Sequence, residues 1–399
     1  MKHLFPGATG HFSLIQGCYW MTYCILISFS SLYLLDRGFT NTQIGLLLGV
    51  AGLTAAILQP FVGAKGDHLK VLSLRQFTSL PIAAMILCGV GLFLVPAKPV
   101  QAALYMVLLV LLQLLTPLIY SLGMDCLNNH IELNFGLARG IGGGTYALAS
   151  AVCGSLAAAL GARVIPLVLV VAVALMLAFT FTFRQGGPVK STLPKPDALP
   201  QSDGTPFLKK YPQVLPLLIG VILLYTSHNV IMNFPYQIVR SLGCGSAEMG
   251  HYLTLQSLMD IPAMVVFSLL LKRASSRAWV RLTGISFFLH ALLTWLAPNL
   301  PFLMVVQVFE MSGYALYSVS SVYFVNEMVD LCDRVQGQTY FTMANTIGIV
   351  LSSVLGGLLL DLGGASAALC LATVTGAAGM VILWFLLRRK SLRPATNAA

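Results

Sequence analysis

Charged residues are scarce in this sequence. Only 9% of its 399 residues are Asp, Glu, Lys or Arg, whereas 57% are hydrophobic. A soluble globular domain carries roughly 25% charged residues, so this composition excludes a water-soluble fold and predicts an integral membrane protein. The motifs GxxxxGKS/T, HExxH and GxSxG are also absent, which excludes an ATP-driven pump and the hydrolases that depend on those motifs. No enzymatic activity is expected.

The apolar residues form twelve runs long enough to cross a bilayer as helices, which takes about 20 residues each. The runs are too long, and too rich in Leu, Ala, Gly and Met, for the alternating strands of a β-barrel. We therefore predict an all-α membrane protein with twelve transmembrane helices. The predicted spans are 12–35, 42–64, 75–96, 101–126, 139–161, 163–183, 214–238, 246–271, 278–297, 301–326, 339–361 and 366–387.

The basic residues mark one side of the membrane. The net charge is +10 at pH 7, and a cytoplasmic N-terminus would place every basic residue except Arg37, Lys98, Arg163 and Arg240 in cytoplasmic segments. This distribution follows the positive-inside rule. It predicts a multi-pass protein of the plasma or inner membrane with both termini in the cytoplasm. The basic residues then face the lipid bilayer, and no nucleic-acid partner is expected.

One long hydrophilic segment divides the chain. Residues 184–213 are rich in Pro, Gly, Ser and charge, as flexible linkers are. Six predicted spans precede it in residues 1–183, and six follow in residues 214–399, which end in a short basic tail. RGFTNTQIGLLLGV in the first half matches LGCGSAEMGHYLTL in the second, and LASAVCGSLAAALG matches LSSVLGGLLLDLG. Both matches are separated by about 200 residues, which suggests a duplication. Two six-helix bundles joined in this way are the architecture of the major facilitator superfamily.

The segment QPFVGAKGDHLKVLSLRQ, residues 59–76, resembles the signature that follows the second helix in this superfamily. Gly63 and Asp67 fit its glycine and the acid four residues later, whereas Lys70 and Val71 replace the expected glycine and basic pair. The resemblance implies a cytoplasmic gate in which the acid pairs with basic groups and a helix N-terminus. A solvated loop acid is the alternative interpretation.

Three further segments resemble the lactose permease branch, which includes oligosaccharide- and nucleoside-proton symporters. Residues 31–67 resemble its first two helices, and ELNFGLARGIGGGTYALAS resembles the start of its helix five. QVFEMSGYALYSVSSVYF resembles helix ten of a related symporter group. The resemblance covers the chain from end to end and implies alternating access to a site near the membrane midplane.

Two carboxylates interrupt the predicted spans. Asp260 lies near the middle of span 246–271, and Glu310 lies about nine residues, or ~13 Å, into span 301–326. A charge at the bilayer centre costs about 2.5–3.5 kcal/mol on insertion scales, so such residues usually face a wet functional cavity. The alternative is that both acids are hydrogen-bonded packing residues, or that they line a solute site without titrating.

The resemblance assigns these acids a task. Asp260 stands where the related symporters commonly have glutamate, and Glu310 stands where they often have histidine. His290 stands where the lactose permease branch has a buried arginine. We therefore expect Asp260, Glu310 and His290 to form a titratable set that couples transport to protons. For His290, a satisfied core histidine is the alternative.

The solute site is predicted from the same resemblance. Arg139 in FGLAR matches the sugar-binding arginine of the branch, and Tyr146, two helical turns later, takes the place of a stacking aromatic. An arginine and an aromatic ring suit a sugar, a nucleoside or a carboxylate. Asp125 is expected to pair with Arg139 when the site is empty, although an arginine snorkelling to the cytoplasm is the alternative. Further candidates, for which plain interhelical hydrogen bonding is the alternative, are His228, Asn229, Asn233, Tyr314 and Tyr317.

Together these features predict a secondary active transporter that imports a small polar solute with protons, by alternating access. Proton-coupled efflux of drugs or metabolites is a second interpretation, and a non-transporting receptor or scaffold on the same fold is a third. The proton gradient is expected to supply the driving force, and the sequence leaves the choice between H⁺ and Na⁺ coupling open. No cofactor or metal is expected, since the eight cysteines show no metal-ligand spacing and predict no disulfide framework. The protein is expected to act as a monomer.

Overall fold

A computed structural model describes residues 7–67, 73–128, 131–183, 206–270, 274–330 and 333–388. In these ranges the regular structure is entirely helical. The helices of the first half are α1 Gly7–Tyr23, α2 Ser30–Asp36, α3 Asn41–Asp67, α4 Leu74–Leu94, α5 Lys98–Asn128, α6 Phe135–Leu160 and α7 Ile165–Thr182. Those that follow are α8 Phe207–Lys210, α9 Val214–Asn233, α10 Pro235–Ser241, α11 Ser246–Leu270, α12 Ser276–Trp295, α13 Leu300–Val306, α14 Val308–Glu310, α15 Leu316–Met328 and α16 Arg334–Arg388.

The helices have the length and composition of membrane spans. Eight of the described helices pass that test, or nine if Gly7–Ser28 and Ser30–Asp36, which meet at 48°, form one bent span. The 55-residue α16 contains a break at Gly363 and Gly364, where Gly364 has a φ of 67° that glycine adopts readily. The all-α membrane fold is thereby confirmed, whereas the count of twelve spans stays a prediction.

Large apolar side chains cover much of the outer surface. Phe61, Leu87, Phe93 and Phe181 are each at least 60% exposed, and exposed apolar surface of this kind marks contact with a partner or a membrane. In a bilayer these side chains face hydrocarbon, while the helices satisfy their own backbone hydrogen bonds.

The described chain separates into two compact units. Unit 1 comprises Met1–Thr192 and Asn233–Leu258, and unit 2 comprises Leu193–Met232 and Met259–Ala399. The predicted division into residues 1–183, a linker at 184–213 and residues 214–399 stays a prediction, and residues 184–205 lie outside the described residues.

In unit 1, α1 packs against α6 and α7, and α5 packs against α3 and α4. The span that begins with α1 does not run straight, because Cys24–Ser28 forms a π-helical turn before α2. Tyr105 donates a 2.8 Å hydrogen bond to the carbonyl of Leu26 inside this turn, so the irregular backbone is satisfied in a buried position. Ser28, the last residue of this turn, lies 2.6 Å from the Tyr146 hydroxyl on α6.

Gly154 and Gly250 allow α6 and the first half of α11 to pack closely together in unit 1. A Cβ atom on Gly154 would lie 2.6 Å from the carbonyl oxygen of Ser246 and 2.8 Å from the Cα of Gly250. Thr254 donates to the carbonyl of Ala147 at 3.0 Å, and Ser257 donates to that of Gly143 at 2.9 Å. Such backbone proximity needs small residues. By contrast, Cβ atoms on Gly140 and Gly144 would meet nothing within 4 Å.

The core of unit 2 lies between α9, α12, α15 and α16. Leu224, Phe287, Tyr317, Phe324 and Leu383 are all nearly fully buried in it. The rings of Tyr225 and Tyr317 meet edge to face at 5.4 Å between centroids, an arrangement that aromatic pairs favour. This apolar core surrounds the polar cluster described below.

A cluster of charged residues lies at the end of unit 2 where α9 begins. Lys210 Nζ lies 2.7 Å from Asp333 Oδ2 and 3.1 Å from Asp330 Oδ2. The Tyr211 hydroxyl lies 2.9 Å from both carboxylates, and it accepts from the backbone N–H of Asp330 at 3.0 Å. The hydrogen bond to Asp333 holds the pKa of Lys210 above its ordinary value. The cluster thereby ties the start of α9 to the turn before α16.

We expect Asp333→Asn to lower the free energy of unfolding by roughly 2 kcal/mol, because a partly buried lysine loses the nearer of its two charged partners. A scanning calorimeter or a fluorescence melt of the detergent-purified protein measures the change. The control is Asp36→Asn, the same substitution at an exposed position. Equal thermal midpoints for the two variants would contradict a stabilising role for the cluster.

Candidate functional site

Two histidines and a glutamate meet in the interior of unit 2. Glu310 Oε2 lies 3.5 Å from His228 Nδ1 and 3.6 Å from His290 Nδ1. The side chains of His228, His290 and Glu310 are only 4%, 2% and 2% exposed. One ligand-type atom from each residue lies within 4.8 Å of the other two. The structure thus brings the predicted pair Glu310 and His290 together and adds His228, which the sequence assigned to the solute site.

A helix irregularity presents Glu310 to the two rings. The predicted span 301–326 is broken into α13, α14, a π-helical turn at Met311–Ala315 and α15. Glu310 is the last residue before that turn, and Tyr314 within it stacks on His228 at 4.8 Å with an interplanar angle of 5°. π-helical turns inside α-helices are frequent at functional sites. The turn therefore determines the positions of the Glu310 carboxylate and of the Tyr314 ring that stacks on His228.

The interior of unit 2 also holds buried polar atoms that find no hydrogen-bond partner among the described residues. Buried polar groups are normally satisfied by protein, water or a ligand, and comparable atoms also occur in unit 1, such as Gln16 Oε1 and Thr180 Oγ1. The atoms in unit 2 are Ser227 Oγ, Thr294 Oγ1, Gln307 Oε1, Tyr317 Oη and Ser320 Oγ.

Asp260 lies on α11 and is half-buried. Its Oδ1 is inaccessible and accepts no hydrogen bond from the described residues. Pro262 follows within the same helix, where it removes one backbone hydrogen bond. Asp260 is therefore a carboxylate within an apolar helix that is partly accessible and has one buried oxygen without a hydrogen-bond partner among the described residues.

In unit 1, Arg139 sits among aromatic rings. It lies on the first turn of α6 and donates a 2.7 Å hydrogen bond to the Tyr120 hydroxyl. Its guanidinium carbon lies 5.9 Å from the Tyr120 ring and 6.0 Å from the Trp20 ring, within the range of cation–π attraction. α6 lies so close to α1 here that a Cβ on Gly142 would overlap the Trp20 ring.

The other predicted solute-site residues have diverse surroundings. Tyr146 is buried, and its hydroxyl lies 2.6 Å from Ser28 Oγ. Asp125 is half-buried near the end of α5, and Asn229 donates to the carbonyl of Tyr225 one turn earlier in α9. Asn233 is buried at the end of α9. Their role in solute binding stays a prediction.

The predicted cytoplasmic gate lies at the end of α3. The backbone of Gly63 and Asp67 belongs to the last turns of that helix, whereas their side chains and residues 68–72 lie outside the described residues. The gating role of Gly63 and Asp67 therefore stays a prediction.

Sequence reasoning missed Trp20, Tyr120 and Gln307. Trp20 belongs to the aromatic group CYWMTY in the first span, a signal that spacing alone does not connect to Arg139. Gln307 is buried three residues before Glu310 and donates to the Leu303 carbonyl at 3.2 Å. A polar residue three positions from a buried acid lies on the same helix face, and that pattern was visible in the sequence.

Comparisons with known proteins agree with this architecture. The nucleoside transporter NupG, as a point mutant, superimposes with a TM-score of 0.79 at 14% identity, covering 96% of this chain and 99% of that one. An auto-inhibited POT family peptide transporter gives a TM-score of 0.71 at 10% identity, with 99% of each chain covered. A bacterial homologue of the iron transporter ferroportin gives 0.70 at 15% identity, covering 96% and 99%. At these identities the likeness shows the fold.

A search of curated proteins finds no match to this sequence. The family model described as the MFS_1 like family, in contrast, matches residues 13–370. That match spans both units and nearly all the described helices. The chain therefore belongs to the MFS_1 like family, and it is a membrane transporter of the major facilitator superfamily.

Proposed function

We propose that this transporter imports a small polar solute together with protons, and that Asp260 carries the proton. The observation that carries the proposal is the half-buried Asp260, whose inaccessible Oδ1 has no hydrogen-bond partner among the described residues. A carboxylate in a membrane interior marks an ion or substrate pathway. A proton carrier must also reach water during the cycle, and partial access meets that need.

Coupling follows from differential binding. Protonation neutralises Asp260, so the protonated protein changes conformation without moving a bare carboxylate through an apolar environment. If the solute binds only one protonation state tightly, the proton gradient drives its accumulation. The resemblance assigns Glu310 and His290 to the same task. The proposal does not give them the proton-carrying role, because both belong to the cluster with His228.

The solute is expected to contact Arg139. A guanidinium beside the aromatic rings of Trp20 and Tyr120 offers directional donors and a stacking surface. That combination suits a sugar, a nucleoside or an organic acid. A cation is disfavoured, because the guanidinium is itself positively charged and would repel it.

The test uses lightly buffered proteoliposomes and a panel of sugars, nucleosides and carboxylates. Symport predicts that the external medium turns alkaline when the right solute is added, and that a protonophore removes the signal. Uptake of labelled solute without proton movement would contradict proton coupling. Alkaline shifts that require solute on the opposite face would favour efflux, and binding without flux would favour a receptor.

We expect Arg139→Gln to weaken solute binding by about 10- to 100-fold, because a charge-assisted hydrogen bond contributes roughly 1.5–3 kcal/mol. Titration of the responding solute against the purified protein measures this affinity. The matched control is Arg163→Gln, at an exposed arginine in the same unit. Unchanged affinity in Arg139→Gln would remove this arginine from the solute site.

A further inference from the structure

We propose that His228, His290 and Glu310 form a binding site for a divalent transition metal ion of the Zn²⁺ class. The site lies wholly within unit 2, with His228 on α9, His290 on α12 and Glu310 at the end of α14. It is independent of the proposed proton carrier, Asp260.

Two of the three distances between the ligand groups are those of metal coordination. Zinc binds histidine nitrogen and carboxylate oxygen at about 2.0–2.2 Å, so ligand atoms around a tetrahedral ion lie about 3.3–3.6 Å apart. Glu310 Oε2 lies 3.5 Å and 3.6 Å from the two Nδ1 atoms. These separations are too long for good hydrogen bonds, and His228 Nδ1 has no hydrogen-bond partner among the described residues.

The donor set selects the class of ion. Two imidazoles and a carboxylate suit Zn²⁺ and neighbouring transition metals, whereas Mg²⁺ and Ca²⁺ prefer ligand sets made of oxygen. Three protein ligands leave a fourth position for water or another small ligand.

The surroundings resemble the outer shell of a metal site. A metal-bound histidine usually donates its second ring N–H to an acceptor. Gln307 Oε1 is a buried acceptor three residues before Glu310, and neither this atom nor His290 Nε2 has a hydrogen-bond partner among the described residues. The His228 ring is held between Tyr314, stacked at 4.8 Å, and Phe287, edge-on at 5.4 Å. These contacts restrict the orientation of the His228 ring.

The depth of the site favours a resident ion over cargo. All three ligands are at most 4% exposed, so exchange with solvent needs the surrounding helices to separate. A bound ion would connect α9, α12 and α14. The thermal midpoint of the protein should therefore rise with Zn²⁺ and stay constant with Mg²⁺.

The experiment uses full-length protein, freed of any affinity tag, stripped with a chelator and titrated with Co²⁺. We expect one equivalent to bind with the visible absorption of a tetrahedral site, and Zn²⁺ to displace it. His228→Gln and His290→Gln should each weaken binding by about 100-fold. The matched control, His251→Gln at an exposed histidine of unit 1, should bind as wild type.

Two results would overturn the site: no saturable Co²⁺ spectrum in wild type, or a spectrum that persists in both histidine variants. Thermal midpoints of the chelated proteins establish that the variants are folded. If one variant fails to fold, the other and the wild-type spectrum decide. Proton movement in Asp260→Asn is a separate readout, so failure of the metal site leaves the proposed symport standing, and the reverse holds too.

Discussion

Asp260→Asn is expected to abolish accumulation of the solute while leaving exchange intact. A neutral solute carried with one proton across 100 mV is driven by about 2.3 kcal/mol, which corresponds to roughly 50-fold accumulation. Asparagine cannot bind the proton, so the accumulation ratio should fall to about 1. Exchange of labelled for unlabelled solute uses only loaded states, and it should continue. Both quantities are measured in proteoliposomes with an imposed potential and pH gradient.

The control for this result is Glu248→Gln, which makes the same change of charge near the start of the same helix. Glu248 accepts the backbone N–H of Gly245 at 2.9 Å, so its loss affects only a helix terminus and changes stability by less than about 1 kcal/mol. We expect this variant to accumulate solute as wild type does. Undiminished accumulation in Asp260→Asn would contradict the proposed proton carrier.

Gly154→Val is expected to force α6 and α11 apart. The first added carbon would lie 2.6 Å and 2.8 Å from backbone atoms of Ser246 and Gly250, and backbone atoms cannot move aside as a flexible side chain can. Overpacking of this kind costs about 1–3 kcal/mol. We expect a lower thermal midpoint, and solute uptake should fall with it because α6 also carries Arg139. Gly250→Val should behave alike, since its Cβ would lie 2.5 Å from the Ser150 carbonyl oxygen.

Gly144→Val supplies a control on the same helix. A Cβ at Gly144 meets nothing within 4 Å, while the valine has the same intrinsic effect on helix formation at both positions. The difference between the two variants therefore isolates the contact with α11. Equal thermal midpoints and equal uptake would show that this glycine contact is unimportant.

Composition and hydropathy were sufficient to predict the class of protein and its helices. A span must be apolar and about 20 residues long, so its existence can be read locally along the chain. The predicted span 75–96 corresponds to α4 Leu74–Leu94, and 278–297 corresponds to α12 Ser276–Trp295. The two spans predicted at 339–361 and 366–387 correspond to α16, with its break at Gly363 and Gly364.

Hydropathy along the chain did not predict the local irregularities within the helices. Span 301–326 was predicted as one helix, whereas the structure interrupts it with the π-helical turn at Met311–Ala315. A π-helical turn inserts one residue without changing hydropathy, so periodicity detects it poorly. The turn nevertheless determines where Glu310 and Tyr314 point.

By itself, the sequence determined that this protein is a helical membrane transporter with ionisable residues inside its spans. Only the tertiary structure decided which of those residues meet. His228 lies beside Glu310 and His290. Arg139 lies beside the rings of Trp20 and Tyr120. Gly154 packs against Gly250. Hydropathy reports the length and burial of a helix, but all the helices are apolar, so it carries little information about which faces pack together. That choice depends on the shapes of small and large side chains across the interfaces, which exist only once the helices have assembled.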